Sequence, residues 1–500
     1  MMYESTRGKY RGMLSAETIK MGIAPDGGLF VPENIMKITQ DMMEQLVGLN
    51  YRERAVAVLT QYLTDYSSEE IEECTGKAYT ESKFGNPEIA PVRKLNDCIS
   101  VLELWHGPTC AFKDMALQLM PHLLVKAVKK TGENKEIVIL VATSGDTGKA
   151  ALEGYKDVNG TRIIVFYPFK GVSEIQKLQM ITQEGKNVYP IGVEGNFDDA
   201  QSGVKAIFTD AELNNTMEQK GYSFSSANSI NWGRLVPQIV YYFSAYADMV
   251  KQGSISIGDK INIVVPTGNF GNILAAFYAM RMGLPVNRLI CASNDNNVLT
   301  EFINTGIYNR NREFRKTISP SMDILISSNL ERLLYEVTGH DSKRICKWME
   351  ELKEKGIYEV DGITREKVRE IFWGAYSTEE ETLAAIRKVY QEFGYVVDTH
   401  TAVGMDVYFK YVAETGDSGT KTVIASTASP FKFNESVSRA ILGDERTKGK
   451  GEFELLKMLS DECGIPIPAG LKDLDKKEVR HTTVCSKEDM KAQVERILGI

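Results

Sequence analysis

Chemistry in this chain starts from one lysine. Lys113 lies in Leu104-Trp105-His106-Gly107-Pro108-Thr109-Cys110-Ala111-Phe112-Lys113-Asp114-Met115-Ala116-Leu117-Gln118. Gly107-Pro108 breaks the chain there, Thr109 is the expected N-cap, and Asp114 adds negative charge to a first helical turn. Phe112, Ala116 and Leu119 recur at helical spacing and seat that helix, which leaves Lys113 beside an apolar face. A desolvated lysine has a depressed pKa and serves as an amine nucleophile or base, whereas an ordinary surface lysine on an amphipathic helix does neither. The rest of the chain must decide between the two.

Four further stretches have the composition of ligand loops. Val264-Val265-Pro266-Thr267-Gly268-Asn269-Phe270-Gly271-Asn272-Ile273 reads as a strand, a tight loop of two glycines and two asparagines, and a helix from about Ile273. Such a loop aims backbone N–H groups and a helix dipole at one spot, which suits a phosphate. It is neither a P-loop nor G-x-G-x-x-G. Ala142-Thr143-Ser144-Gly145-Asp146-Thr147-Gly148-Lys149 repeats the layout and forms a second anion-sized nest. Ser226-Ala227-Asn228-Ser229-Ile230-Asn231-Trp232-Gly233-Arg234 gathers amides and hydroxyls ahead of an arginine suited to bidentate phosphate or carboxylate binding. Ala425-Ser426-Thr427-Ala428-Ser429-Pro430 places small hydroxyls at the end of a strand, where open α/β sheets bind ligands. Cys110 reads as buried filler, His106 as a residue ordering its turn, and Asp398-Thr399-His400 as a helix start rather than a metal site.

The elements that must hold these loops are legible as β-branched runs. Residues 137–141, 163–167, 188–193, 261–265, 289–291 and 422–425 read as strands separated by helical lengths, which argues for βαβ units and parallel sheet. Before residue 95 the chain reads as mixed and mostly helical. Residues 46–66 show helical periodicity, and 25–32 form a turn entering a short extended piece. Residues 326–395 read as a long helical insertion, and the tail past 455 is charged, with a last helix over 486–498.

Composition excludes several classes. The chain has 500 residues, 43% hydrophobic and 25% charged, so it can bury ample core in two to four domains. Lys+Arg 59 against Asp+Glu 67 gives −8, and no basic run favours nucleic acid or an acidic membrane. Seven cysteines without a C-x-x-C pair fit reduced thiols in the cytoplasm better than a disulfide frame. Five scattered histidines without H-E-x-x-H leave no expectation of a metal site. The N-terminus lacks the apolar core of a signal peptide, and no apolar run is long enough to span a bilayer.

A partly buried lysine, a phosphate loop, a hydroxyl at a strand end and two more anion nests make a set that pyridoxal 5'-phosphate needs: a lysine to carry it, donors for its phosphate, a partner for its ring nitrogen. The chain resembles the threonine synthase family, among fold type II pyridoxal-phosphate enzymes. The matching stretches are His106–Thr109 with Lys113-Asp114, Thr143–Gly148, Gly171–Ser173, Ala227–Asn231, Gly268–Asn272, Ser426–Ala428, the opening Tyr3–Gly8 and Asp26–Leu29. They cover nearly the whole length in order.

The resemblance implies an α/β fold of two open, twisted, mostly parallel sheets flanked by helices, like the tryptophan synthase β chain, plus an N-terminal mixed or helical domain. The expected division is 1–95 for that domain, 96–238 for the lobe carrying the lysine and substrate loops, 239–455 for the cofactor-phosphate lobe with its insertion at about 326–395, and 456–500 for a C-terminal extension. It further implies that Lys113 carries the cofactor and acts in catalysis. Gly268, Asn269, Phe270, Gly271 and Asn272 hold the cofactor phosphate, and Thr427 hydrogen-bonds its ring nitrogen. Thr143, Ser144, Asp146, Thr147, Asn228, Ser229, Asn231 and Arg234 serve the substrate. The implied reaction is O-phospho-L-homoserine and water to L-threonine and phosphate, by γ-elimination and β-addition, in a monomer or homodimer. Relatives often carry histidine where this chain has Ser429; the serine still supplies a hydrogen bond. Two rivals keep part of the pattern. A fold type II phospho-lyase or serine/threonine dehydratase retains Lys113 and the glycine loop but is not expected to carry the Asn228–Arg234 set. A non-catalytic amino-acid-binding relative is not expected to retain Lys113 and Thr427.

Overall fold

Runs such as Ile261–Pro266 and Ile99–Glu103 are buried along their whole length, so both faces must be covered. A computed structural model describing residues 1–500 shows how. Six strands form one sheet, in spatial order Phe372–Tyr376, Val286–Ser293, Ile261–Pro266, Thr422–Ser426, Ile99–Glu103 and Val92–Lys94. All neighbours are parallel except the last, antiparallel pair. Five parallel strands form the other: Val484–Cys485, Val188–Val193, Thr161–Pro168, Glu136–Ala142 and Tyr222–Ser225. Helices flank both sheets, as the sequence predicts. No helix is long and apolar enough to cross a membrane.

The loops singled out above all leave the C-terminal ends of strands: Leu104–Phe112 follows Ile99–Glu103, Thr143–Gly145 follows Glu136–Ala142, Ser226–Asn231 follows Tyr222–Ser225, Thr267–Phe270 follows Ile261–Pro266, and Thr427–Ser429 follows Thr422–Ser426. Register sets their heights. Ser426 lies opposite Glu103, and Ile424 opposite Val264, so three of these loops emerge side by side.

Trp232 ties the layers together. Its buried ring meets Tyr3, Tyr62 and Tyr278 edge-on at 5.4, 5.6 and 5.5 Å. The N-terminal segment, the Trp232–Lys251 helix and the Gly271–Met282 helix thereby share one core. The N-terminal motif also has a structural task. Thr6 Oγ1 and Arg7 Nε reach Glu331 at 2.5 and 2.7 Å, which fixes the start of the Leu330–Val337 helix behind the glycine loop.

Three readings need correction. Residues 46–66 are not one helix. Gln40–Gly48 and Tyr51–Tyr62 are separated at Leu49-Asn50, where Asn50 accepts the Glu53 N–H and starts a new cap. The 326–395 segment is not wholly helical, since it contains the strands Ile357–Glu359 and Phe372–Tyr376, the second an edge of the six-stranded sheet. Phe372 follows the Gly362–Ile371 helix without a turn residue, so periodicity gives no break. The tail holds a strand too short to read, Val484–Cys485, which pairs with Gly192 and Val193, and its last helix starts at Met490.

Candidate active site

The Lys113 turn is laced to the end of the Thr422–Ser426 strand. Leu104 N–H donates to Ser426 O at 3.0 Å, Phe112 N–H to Thr427 O at 2.8 Å, and Ser429 N–H to Cys110 O at 3.0 Å. Inside the turn, Thr109 N–H and Oγ1 bond the Asp114 carboxylate at 2.8 and 2.7 Å. Thr109 is therefore not the N-cap: Phe112 occupies that position of the Lys113–Leu117 helix, and Thr109 anchors Asp114 instead. Gly107 is required here, because a Cβ would stand 2.5 Å from Asp114. Burial raises the Asp114 carboxyl to about 6, with the Thr109 donors opposing it. Cys110 is buried, and burial pushes its thiol up to about 12, so it stays protonated and inert.

Lys113 itself is 9% exposed. Its Nζ reaches Ser321 Oγ at 3.0 Å and Asp146 Oδ2 at 3.4 Å. Asp146 is the first residue of the Asp146–Tyr155 helix, and its other oxygen faces Lys432 Nζ and Gln176 Nε2, both at 2.9 Å. Lys432 is fully buried and also donates to Thr109 O at 2.9 Å. One carboxylate thus stands between two ammonium groups. Burial favours neutral Asp146, but Lys432 and Lys113 outweigh it and hold the carboxylate well below its usual range. For Lys113, burial dominates and lowers the pKa; Asp146 opposes this, and the charges of Lys432 and Arg234 add to it. Ser321 Oγ accepts from Lys113 and donates to Asp146 Oδ2 at 3.1 Å. The Ser321 N–H donates to His400 Nε2 at 3.1 Å, so the His400 proton sits on Nδ1, which donates to Asp398 at 2.8 Å.

The glycine loop closes on a bare helix start. Phe270 is in the left-handed region, φ 62°, and no side chain caps the Gly271–Met282 helix. Its first-turn N–H groups belong to buried residues and open toward the loop. Ser327 Oγ and Asn329 Nδ2 hold the loop from outside, on Gly268 O at 2.7 Å and Asn269 O at 2.9 Å. At Gly268 a Cβ would meet Ser321 O at 2.8 Å. Tyr241 and Tyr242 hydroxyls both reach Asn272 Oδ1 at 2.5 Å, while Asn272 Nδ2 is buried without any partner. An orphaned donor beside uncapped N–H groups fits the phosphate of the cofactor. Phe270 contributes only backbone, since its ring packs on Phe372 at 5.6 Å.

The remaining sequence candidates divide into free and committed side chains. Thr427 is 5% exposed, and its carbonyl is taken by Phe112 while its hydroxyl remains free for a ring nitrogen. Ser144 is exposed and Thr147 half-buried, both beside Asp146. Thr143 is committed: its Oγ1 accepts the Gly145 and Gly148 N–H groups at 3.0 and 2.9 Å. Asn231 is committed too, capping the Trp232 helix through Gly233 N–H and donating to Ile19 O at 2.9 Å. Asn228 and Ser229 reach only each other by side chain, at 3.2 Å. Arg234 is 3% exposed, has no carboxylate partner, donates to Ala227 O at 2.5 Å, and leaves Nε unbonded. Burial lowers it to about 10. Ser429 Oγ accepts the Phe431 N–H at 3.4 Å and caps the turn that carries Lys432.

Sequence reasoning missed Ser321, Lys432, Gln176 and the task of His400. Only Lys432 had a signal: a lysine between two phenylalanines directly after the strand-end hydroxyls.

Comparison with known proteins agrees along the whole chain. Residues 2–79 match the family described as threonine synthase N terminus, 88–362 the pyridoxal-phosphate dependent enzymes, and 401–497 the threonine synthase C-terminal family. The chain is similar to threonine synthase of Schizosaccharomyces pombe, 37% identical over 88% of this chain and 89% of that one. It is also similar to human threonine synthase-like 1, 41% identical over 88% of this chain, and spans 59% of that longer relative. Among solved structures, PLP-bound threonine synthase from Brucella melitensis is 35% identical, with a TM-score of 0.88 and coverage of 100% and 99% of the two chains.

Proposed function

Because the chain belongs to the threonine synthase family of pyridoxal-phosphate-dependent enzymes, we propose that it converts O-phospho-L-homoserine and water to L-threonine and inorganic phosphate, the closing step of threonine biosynthesis. The observation that supports this reading is a buried arginine with no counter-ion, a group suited to a second anion. Arg234 presents a desolvated cation with no counter-ion, near enough for its charge to lower the Lys113 pKa. A lyase acting on serine has no use for it; a substrate with its own phosphate does.

In this reading Lys113 is the attachment lysine, Gly268–Asn272 with Asn272 Nδ2 hold the cofactor phosphate, and the Thr427 hydroxyl donates to the ring nitrogen. A hydroxyl partner leaves that nitrogen unprotonated. When bound, the cofactor supplies an electron sink for charge developing at Cα. Lys113 Nζ, with its lowered pKa, is neutral more readily than a free lysine and carries protons among Cα, Cβ and Cγ. Asp146 and Ser321 orient that amine. Arg234, with Asn228 and Ser229, holds the substrate phosphate as it departs from Cγ with the C–O electron pair. A water oxygen then bonds to Cβ. In the balance, Cβ exchanges hydrogen for hydroxyl, and Cγ exchanges phosphate for hydrogen.

The test is a comparison of substrates on the cofactor-loaded protein. Equimolar threonine and phosphate from O-phosphohomoserine, with serine turned over far more slowly, is the expected result. Preference for serine, or phosphate release without threonine, would assign a dehydratase or phospho-lyase instead.

A further inference from the structure

A cavity of about 620 Å³ lies outside the site described above, and none of Lys113, Arg234, Thr427 or the glycine loop lines it. Its walls are helices Ser68–Ala78 and Glu81–Phe84 of the N-terminal segment, helix Met120–Lys130, and the end of helix Asp146–Tyr155. Pro108 and Gln118, which flank the Lys113 turn on either side, close the remaining wall. The volume suits a nucleotide-sized molecule.

Charge in this cavity has one sign in excess. Five lysines line it against three carboxylates. Lys77 and Lys126 share the single carboxylate of Glu73, at 2.6 Å each. Glu153 is held by Lys149 at 3.2 Å, and Asp157 by the Lys186 N–H at 2.8 Å. Lys156 is paired with Glu184 at 3.0 Å. Lys83 bonds only the Lys77 carbonyl, at 2.8 Å, and Lys129 makes no ion pair. These two cations, with the surplus of the Lys77–Glu73–Lys126 triad, face the cavity from three helices. His122 in the wall registers the field: burial first, then Lys83 and Lys77, push it down to about 4. A separate observation points the same way. Gln118 is 2% exposed, yet its Nε2 is buried with no hydrogen-bond partner. An unused donor in the wall of a cationic cavity calls for an acceptor from a ligand.

We propose that this cavity binds a phosphorylated small molecule carrying at least two phosphoryl groups, with Lys83, Lys129 and the Lys77–Lys126 pair as its cations and the Gln118 amide as a donor. Its occupant touches the N-terminal helices and both sides of the Lys113 turn, so it braces the segment that presents the catalytic lysine. The cofactor carries one phosphate, and its expected ligands are all elsewhere.

The experiment is calorimetric titration of the cofactor-loaded full chain with sodium tripolyphosphate at low ionic strength, where lysine–phosphate attraction is least screened. The wild type should bind one equivalent. Lys83→Gln with Lys129→Gln should weaken the dissociation constant at least tenfold, and Gln118→Leu should weaken it severalfold, with circular dichroism and cofactor content unchanged. No binding by the wild type would overturn the proposal. So would equal affinity in the double lysine variant, or affinity lost only in Arg234→Met, which would place the probe at the other anion site.

Discussion

Replacing Arg234 by methionine should harm the reaction while sparing the fold. Arg234 is a buried cation with no carboxylate, and burial pulls its pKa below the ordinary guanidinium range to about 10. A guanidinium does not release its proton at neutral pH, so the fold bears the penalty. Holding an unpaired ion out of water costs the fold several kcal/mol. Methionine removes that penalty, fills similar space, and loses the hydrogen bond to Ala227 O, worth about 1 kcal/mol. Without ligand, the variant should therefore be as stable as the wild type or more stable, by up to about 2 kcal/mol. With O-phosphohomoserine the sign reverses. Removing one partner of a desolvated charge pair commonly costs about 2–5 kcal/mol, so kcat/KM should fall by about two to three powers of ten. Slow deamination of serine should fall far less. Thermal unfolding of the ligand-free protein and parallel kinetics on both substrates measure the two arms. A drop of several degrees in Tm with equal losses on both substrates would mean instead that Arg234 is structural.

The other expectations concern Lys113 and its neighbours. Lys432→Gln keeps donors to Asp146 and Thr109 but removes a charge that lowers the Lys113 pKa, and it frees Asp146 for Lys113. Both changes raise that pKa, so the pH midpoint for cofactor attachment should move up by about one unit, or about 1.4 kcal/mol; a profile that stays put, followed by stopped-flow absorbance, would deny Lys432 this part. Thr427→Val should lower kcat about tenfold, the value of one hydrogen bond, with the cofactor still attached; full activity would pass the ring nitrogen to Ser426 or Ser429. Gly268→Ala should drive a methyl into Ser321 O, 2.8 Å away, and so disturb both the glycine loop and the Lys113 contact. A loss of about 1–3 kcal/mol in stability, with faster cofactor loss on dialysis, is the expected outcome. Borohydride reduction and peptide mapping should find the cofactor on Lys113 and on no other lysine.

Much of this was legible because the chain writes its sheets plainly. Runs such as Ile261–Pro266 are β-branched, buried on both faces and closed by Gly or Pro, so strand positions and parallel topology follow from pattern alone. The glycine loop could be proposed for a local reason, since the donors expected of it come from five consecutive residues. What remained hidden is long-range. Ser321 meets Lys113 across 208 residues, from a short turn at Pro320–Met322 that carries no motif. His400 reads correctly as part of a helix start, with Asp398 capping Thr401 N–H, but nothing local says that its other nitrogen takes the Ser321 N–H. Thr143 and Asn231 show the converse: residues of ligand-loop type whose side chains turn out to build the loops instead.

Running the reaction in ¹⁸O-labelled water with cofactor-loaded protein and O-phospho-L-homoserine shows which bond breaks and where water enters. Departure of phosphate by C–O cleavage at Cγ and addition of water at Cβ predict L-threonine with one ¹⁸O in its hydroxyl, and phosphate with none. Homoserine with ¹⁸O in the phosphate, from P–O cleavage, would contradict the account, as would an oxo acid and ammonia in place of threonine.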